Sequence, residues 1–188
     1  MKKFNVNDIE NELKRETYKS KYNRILRSTI YGLIIVAAFA TIIASLLMPV
    51  VEISGTSMAP ILNEGEIVVS VKTKNIKKGD IIAFYHGNKI LIKRVIASPS
   101  DWVYIDDEGN VSVNGEIINE SYVQNKMLGE TDVEFPLQVQ DGKWFVLSDK
   151  RDTIIDSRNS EVGCISNDDI IGKIIFRVWP IKNIGSVN

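Results

Sequence analysis

The hydrophobic residues divide the chain into one long apolar run and a following region of short apolar runs. No charged residue occurs between Ser28 and Val51, and the stretch 30–48 is almost wholly Ile, Leu, Val, Ala, Phe and Met. A helix of that length can cross the roughly 30 Å hydrocarbon layer of a bilayer, whereas a helix of a soluble domain normally keeps a polar face. The pattern predicts a transmembrane anchor over residues 29–49 behind a tail of residues 1–28.

Charges flanking this span predict its orientation. Eight Lys and Arg residues precede it against four Asp and Glu residues, and the first basic residue after it is Lys72. Because basic residues stay on the cytoplasmic side, the tail is expected in the cytoplasm and the rest of the chain outside. A cleaved signal peptide is the alternative, but the apolar run exceeds the 7–15 residues typical of one.

Beyond Val51 the apolar residues occur in short, β-branched runs separated by Gly, Asn and Asp. This pattern is typical of antiparallel strands and predicts a mainly β extracytoplasmic domain over residues 50–188. The predicted strands are 66–71, 80–85, 90–96, 102–105, 111–113, 116–118, 144–147 and 170–179. The more polar stretch 98–141 is expected to form an insertion that caps the main sheet.

Composition narrows the possible chemistry. The formal net charge of −1 gives no sign of a nucleic-acid partner. Cys164 is the only cysteine and His86 the only histidine, so no internal disulfide and no zinc site are expected. A Ser-His-Asp triad would need His86, which lies in a predicted turn. We therefore expect no metal and no cofactor.

Lys93 lies within a predicted strand and shares a face with Leu91 and Val95, because alternate side chains in a strand point the same way. Such a lysine either reaches water at the sheet edge or is buried. Its strand neighbours offer no carboxylate, so burial would lower its pKa and make it a base near neutral pH.

Ser57 lies between Gly55 and Pro60, where a serine is commonly only a turn residue. A serine nucleophile needs a group that removes its proton, and a buried lysine can take that role in place of histidine. The charged segment 148–158 follows a predicted buried strand. Its charges either form a solvated loop or pair with each other and fix the floor of a site.

Five motifs occur in the order typical of one known family. They occupy residues 57–60, 79–84, 93–95, 149–152 and 156–158. With these motifs the chain, from about residue 25 to its carboxyl end, resembles the bacterial type I signal peptidases, and its short length with one span is similar to their Gram-positive branch.

This resemblance implies an antiparallel β catalytic domain and a serine endopeptidase that cleaves N-terminal signal peptides from exported preproteins after small residues. It assigns Ser57 as the nucleophile, Lys93 as the general base and the Ser57 backbone N–H as one oxyanion donor. Some relatives supply a second oxyanion donor from a serine two positions before the nucleophile. Gly55 occupies that position here, so the second donor stays unassigned.

The resemblance also implies that the substrate binds as an added β-strand against the strand around 81–84 and the segment before Ser57. The residues expected to bind substrate are Ile53, Gly55, Met58, Ile81, Ile82, Ala83 and Phe84. Two structural ion pairs are expected, Arg94 with Asp149 and Arg158 with Asp156.

The chain departs from the family pattern in its last motif. Ser148 replaces a glycine and Lys150 an asparagine, and Ile154 stands where the family carries a serine that hydrogen-bonds the lysine. These changes leave open a peptidase with a specialised set of substrates.

Two other functions compete with the signal peptidase. One is a non-catalytic relative that assists the assembly of pilus-type surface proteins, which the presence of both Ser57 and Lys93 opposes. The other is a self-cleaving cytosolic regulator, which the anchor opposes. The expected partners are preprotein signal peptides, the lipid bilayer and nearby protein-export machinery, with the protein single-pass in the cytoplasmic membrane.

Overall fold

A computed structural model of the chain describes residues 6–153 and 155–187. Its contacts divide the chain into two compact units, with the boundary between Leu46 and Leu47. The first unit is helical, because helix α1 spans Val6–Leu47. Within the described residues it is the one helix long and apolar enough to cross a membrane, with a mean hydropathy of 2.5 in its most apolar window.

The second unit is built from antiparallel strands and two short 3₁₀ turns. Its strands are β1 (Val50–Glu52), β2 (Ile67–Val71), β3 (Ile81–His86), β4 (Lys89–Ala97), β5 (Trp102–Ile105), β6 (Val111–Val113), β7 (Glu116–Ile117), β8 (Leu137–Gln138), β9 (Lys143–Leu147), β10 (Ile165–Ser166), β11 (Ile170–Trp179) and β12 (Gly185–Ser186). The architecture confirms the predicted class, a mainly antiparallel β domain that follows an apolar helix.

Two sheets contain these strands in the described part of the chain. The larger sheet has the order β1-β2-β11-β3-β4-β9-β10, with β12 paired to β11, and the smaller has the order β7-β6-β5-β8. Strand β11 inserts between β2 and β3, so the end of the chain completes the middle of the larger sheet. This insertion makes β3 an interior strand.

The larger sheet is buried on both faces near β3. Ile82 and Phe84 pack on one face with Val95 of β4, while Ile81 and Ala83 pack on the other. Apolar side chains on both faces explain why the sequence at β3 is a continuous hydrophobic run rather than an alternating one.

The smaller sheet packs its alternating valine and isoleucine side chains against the end of β4 and against β9. Val103 and Val111 are fully buried there with Phe145, and the ring of Phe135 meets that of Phe145 edge to face at 6.2 Å. The strands of this sheet lie between Trp102 and Gln138.

The predicted strands all occur, with ends that differ by at most one residue. The sequence pattern did not predict β1, β8, β10 and β12, which contain only two or three residues each. Such strands are too short to show an alternating pattern, and they form because a neighbouring strand offers a free edge.

Candidate active site

The loop that carries Ser57 joins β1 to β2 and is closed at its base by backbone hydrogen bonds. The Ile53 N–H donates to the Glu66 carbonyl at 2.8 Å, and the Gly65 N–H donates to the Ile53 carbonyl at 2.9 Å. Met58 and Leu62 fix the loop from within, since their side chains are buried in the core below it. Ser57 therefore follows a short connection anchored on both sides.

An ion pair supports the same loop from β11. Arg177 contacts both carboxylate oxygens of Glu66 through Nη1, at 2.7 and 2.6 Å, and the same nitrogen lies 3.3 Å from the Ile61 carbonyl. Burial of the Glu66 carboxyl opposes its ionisation, but the hydrogen bond and charge of Arg177 and the hydrogen bonds from Asn63 together hold the pKa below its usual value. Arg177 thus ties the loop to the centre of the sheet.

Lys93 lies in β4 opposite Ile82 of β3 and is 2% exposed. Its Nζ atom lies 2.8 Å from Ser57 Oγ, within hydrogen-bonding distance. The structure therefore brings together the two residues that the sequence singled out, across 36 positions of the chain. It places Lys93 in the interior rather than with its ammonium in water.

Burial of Lys93 makes its ammonium less favourable than it would be in water. Burial lowers the pKa to about 8 from the usual 10.5, although Asp156 and Asp149 act to raise it and Arg158 adds to the lowering. The expectation that burial dominates is confirmed. The expectation of no nearby carboxylate holds for the strand neighbours only, because the segment after β9 brings two aspartates close.

Arg94, the next residue, points to the opposite face and donates three hydrogen bonds. Its Nε and Nη2 atoms donate to the two carboxylate oxygens of Asp149 at 2.8 and 2.7 Å, and Nη1 donates to the Gly79 carbonyl at 2.8 Å. The ring of Tyr122 covers the guanidinium, with 4.1 Å from Arg94 Cζ to the ring centroid. Burial alone would lower the pKa of Arg94, but Asp149 raises it above the usual value.

The second expected ion pair is also present and organises the segment after β9. Arg158 binds Asp156 through Nε and Nη2, at 2.9 and 2.8 Å, and both residues are fully buried. Burial opposes the ionisation of Asp156, but Arg158 and the Ser148 N–H keep its pKa below the usual value. The Lys150 N–H then donates to the Ser57 carbonyl at 2.9 Å, which joins this segment to the nucleophile loop.

One buried ion pair was not identified from the sequence. Arg151 donates through Nη2 to Glu120 Oε1, and the side chains of both residues are at most 1% exposed. The hydroxyl of Tyr122 donates to the same oxygen of Glu120 at 3.2 Å. Arg151 and Glu120 stand 31 positions apart in polar stretches, so their charges gave no signal that distinguishes them from surface residues. Ile154 lies outside the described residues.

The predicted substrate strand at 81–84 is wrong. Strand β3 pairs with β4 along one edge and with β11 along the other, so its backbone groups are already used in the sheet. The side chains of Ile81, Ile82, Ala83 and Phe84 are also buried. Among the other expected contacts, Ile53 and Met58 are buried as well, and Gly55 is half-buried with a φ of 85°.

A neighbouring edge is open instead. Strand β9 pairs with β4 only from Arg94 onward, at Arg94, Val95 and Ala97. In the part of the chain that the structure describes, no strand lies on that side of residues 90–93. This open edge ends at Lys93. Within the same described residues, no cluster of three His, Cys, Asp or Glu side chains could hold a metal ion.

Comparison with known proteins places the chain among enzymes that process exported proteins. The family model for signal peptidase, peptidase S26, matches residues 26–179. Signal peptidase I of Bacillus licheniformis is 31% identical over 166 residues, 81% of this chain and 88% of that protein. Signal peptidase IB of Staphylococcus aureus (strain COL) is 34% identical over 151 residues, 69% of this chain and 77% of that protein.

Two further similarities are more partial. Thylakoidal processing peptidase 1 of Arabidopsis thaliana is 32% identical over 150 residues, and the match spans 71% of this chain but only 42% of that protein. A crystal structure of a signal peptidase I from Enterococcus faecalis V583 aligns with 54% of this chain and 98% of that chain, at 26% identity and a TM-score of 0.45.

Proposed function

This chain belongs to the signal peptidase family, peptidase S26, and is a serine peptidase that cleaves signal peptides; on that premise we propose that Ser57 is its nucleophile and Lys93 its general base. The observation that carries the assignment is the 2.8 Å separation of Lys93 Nζ and Ser57 Oγ inside the fold. The comparisons favour this enzyme over the non-catalytic relative.

The position of His86 argues against histidine as the general base. His86 pairs with Lys89 at one end of the β3–β4 ladder, while Lys93 lies opposite Ile82, four residues further along. At about 3.3 Å per residue that distance is roughly 13 Å, well beyond a hydrogen bond to the serine. Lys93 is then the base available to Ser57.

The reaction begins when neutral Lys93 accepts the proton of the Ser57 hydroxyl. The Oγ atom forms a bond to the scissile carbonyl carbon, and the carbonyl π electrons move to the oxygen, which the Ser57 backbone N–H stabilises. The Lys93 ammonium returns the proton to the amine as the peptide C–N bond breaks. Water, deprotonated by Lys93, then hydrolyses the acyl-enzyme ester and regenerates Ser57.

The substrate binds as an added strand on the open edge of β4 at residues 90–93 rather than on β3. Backbone N–H and C=O groups at a strand edge pair with an extended peptide, and alternate side chains of that peptide meet the surface. This edge ends at Lys93, whose amine contacts Ser57. A scissile bond in this strand can therefore reach the hydroxyl. The family resemblance implies that the substrate carries small residues at the first and third positions before the cut.

The apolar helix and the family are consistent with a membrane-anchored protein. The excess of basic residues before the span supports an amino terminus in the cytoplasm and a peptidase domain on the extracytoplasmic face. There the enzyme meets preproteins beside the lipid bilayer and the export machinery that delivers them.

Cleavage of a preprotein by the detergent-solubilised full chain tests the proposal. Ser57→Ala should abolish cleavage while the melting temperature stays close to that of wild type, because the change removes one half-buried hydroxyl. Ser121 is an exposed serine between β7 and β8, and Ser121→Ala serves as the matched control that should cleave at the wild-type rate. Mass spectrometry of the products identifies the cut. Wild-type rates in Ser57→Ala would exclude Ser57 as the nucleophile.

A further inference from the structure

Ser148 is a fully buried residue whose hydroxyl has no hydrogen-bond partner among the described residues. Its backbone is satisfied, because the N–H donates to Asp156 Oδ2 at 3.0 Å and the carbonyl accepts from Arg151 Nε at 2.9 Å. Of the polar atoms of Ser148, the side-chain oxygen is the one without a hydrogen-bond partner among the described residues. A buried hydroxyl without a partner is unfavourable in a resting fold, so its presence calls for a partner that forms at another stage.

Ser148 directly follows Leu147 of β9, and Lys93 directly precedes Arg94 of β4, the residue that pairs with Leu147. Strands β4 and β9 pair Val95 with Val146 and Arg94 with Leu147. One further step in the same antiparallel register sets Lys93 opposite Ser148, the first residue after β9. Residues directly opposite each other share a face, with Cβ atoms about 4.5–5.5 Å apart. By this extension of the register, Ser148 shares the face of β4 that carries Lys93.

Among the described residues, Lys93 Nζ has no acceptor besides Ser57 Oγ at the stage when it carries the proton. An ammonium has three N–H donors, and the described residues give Lys93 Nζ a single partner, Ser57 Oγ. That oxygen becomes part of an ester in the acyl-enzyme. The oxygens of Asp149 already accept from Arg94, and those of Asp156 accept from Arg158 and the Ser148 N–H.

We propose that Ser148 is a positioning residue whose Oγ accepts a hydrogen bond from the Lys93 ammonium and holds it between Ser57 and the leaving amine. The inference rests on the proposed Ser57 and Lys93 roles. Ile154, where the family resemblance implies a serine, has no polar side-chain atom. Ser148 fills that need from the segment that directly follows β9.

The test compares two buried serines of the same segment. In Ser157 the hydroxyl already donates to the Gly163 carbonyl at 2.7 Å and accepts from the Val146 N–H at 2.9 Å. Ser157→Ala therefore removes a satisfied hydroxyl, and Ser148→Ala removes an unsatisfied one. Asp149, Asp156 and Arg158, the charged groups that act on Lys93, are unchanged in both variants.

Ser148→Ala should lower kcat about tenfold with little change in KM, a fraction of what a whole general base contributes. The midpoint of its rate profile should move to lower pH, because the ammonium loses an acceptor. Its melting temperature should not fall, since no native hydrogen bond is lost. Ser157→Ala should melt at a lower temperature and keep the wild-type midpoint.

Two further variants keep the test decisive if Ser148→Ala folds poorly. Ser148→Thr retains the hydroxyl and should keep the wild-type midpoint, while Ser148→Gly should show the lowered one. An unchanged midpoint and kcat in Ser148→Ala or Ser148→Gly would overturn the inference. That result leaves the proposed function intact, because the Ser57→Ala measurement decides it separately.

Discussion

Two adjacent basic residues, Lys93 and Arg94, lie on opposite faces of strand β4 and have different partners. Arg94 meets a bidentate carboxylate, a carbonyl and an aromatic ring, whereas the described partner of Lys93 Nζ is one serine hydroxyl. Both residues are almost fully buried, at 4% and 2% exposure. Burial is therefore common to the two faces, and the difference lies in the partners.

The pKa values of Arg94 and Lys93 differ because the two residues have different partners. Burial would lower the pKa of both residues, but Asp149 raises that of Arg94 above its usual value, while that of Lys93 falls to about 8. Asp149 also acts on Lys93, yet its oxygens are already bonded to Arg94. A buried cation becomes a base near neutral pH when the carboxylates around it are committed to other donors.

The largest expected effect comes from replacing Lys93, whose Nζ atom has Ser57 Oγ as its single partner among the described residues. Lys93→Met keeps the length of the side chain and removes the amine, so cleavage should fall by at least the roughly 10²–10⁴-fold that a general base contributes. Turnover of a preprotein in detergent measures the loss. Lys89→Met, an exposed lysine of the same strand, is the control and should remain active. Cleavage by Lys93→Met at more than a tenth of the wild-type rate would contradict the role of Lys93.

The next effect concerns the paired cation on the opposite face. Asp149→Asn leaves the Arg94 guanidinium buried without its counter-ion, and breaking a buried pair in this way costs about 3–5 kcal/mol of stability. Chemical denaturation measures the free energy of unfolding. Asp152→Asn breaks the solvent-exposed pair with Lys150 in the same segment and should cost less than about 1 kcal/mol. Equal losses in the two variants would show that the Arg94 pair does not stabilise the fold.

The sequence predicted the strands of this site better than it predicted which strands pair with each other. The alternation in β4 correctly placed Lys93 on the face of Leu91 and Val95, because the two-residue period is local. The order of strands is not local: β11 lies some 90 positions after β3 yet pairs with it. That pairing is why the predicted substrate strand was wrong.

A signal for the interior position of β3 was nevertheless present. The run 81–84 is apolar at every position, which indicates a strand buried on both faces and not an edge that accepts a substrate. The Glu120 and Arg151 pair had no comparable signal. Those two side chains meet only because the smaller sheet folds back over the end of β9, and no local pattern encodes that contact.

The smallest expected effect is on the pH dependence of stability. It distinguishes Lys93 on one face of β4 from Arg94 on the other. Lys93 has a folded pKa of about 8 and an ordinary value of 10.5 when unfolded. Between these values the unfolded chain binds the proton more strongly, so stability rises with pH; below pH 8 both states are protonated and the penalty is constant.

Lys93→Met isolates this contribution because every other titrating group is shared with the wild type. At about 1.4 kcal/mol per pKa unit, the penalty on the wild type below pH 8 is about 3 kcal/mol. Lys93→Met should therefore be at least as stable as wild type at pH 7, and the gap should close as pH approaches 10.5. Denaturation of both proteins from pH 7 to 10.5 measures it. Stability curves that stay parallel, or a methionine variant well below wild type at pH 7, would mean that Lys93 is charged and paired like Arg94.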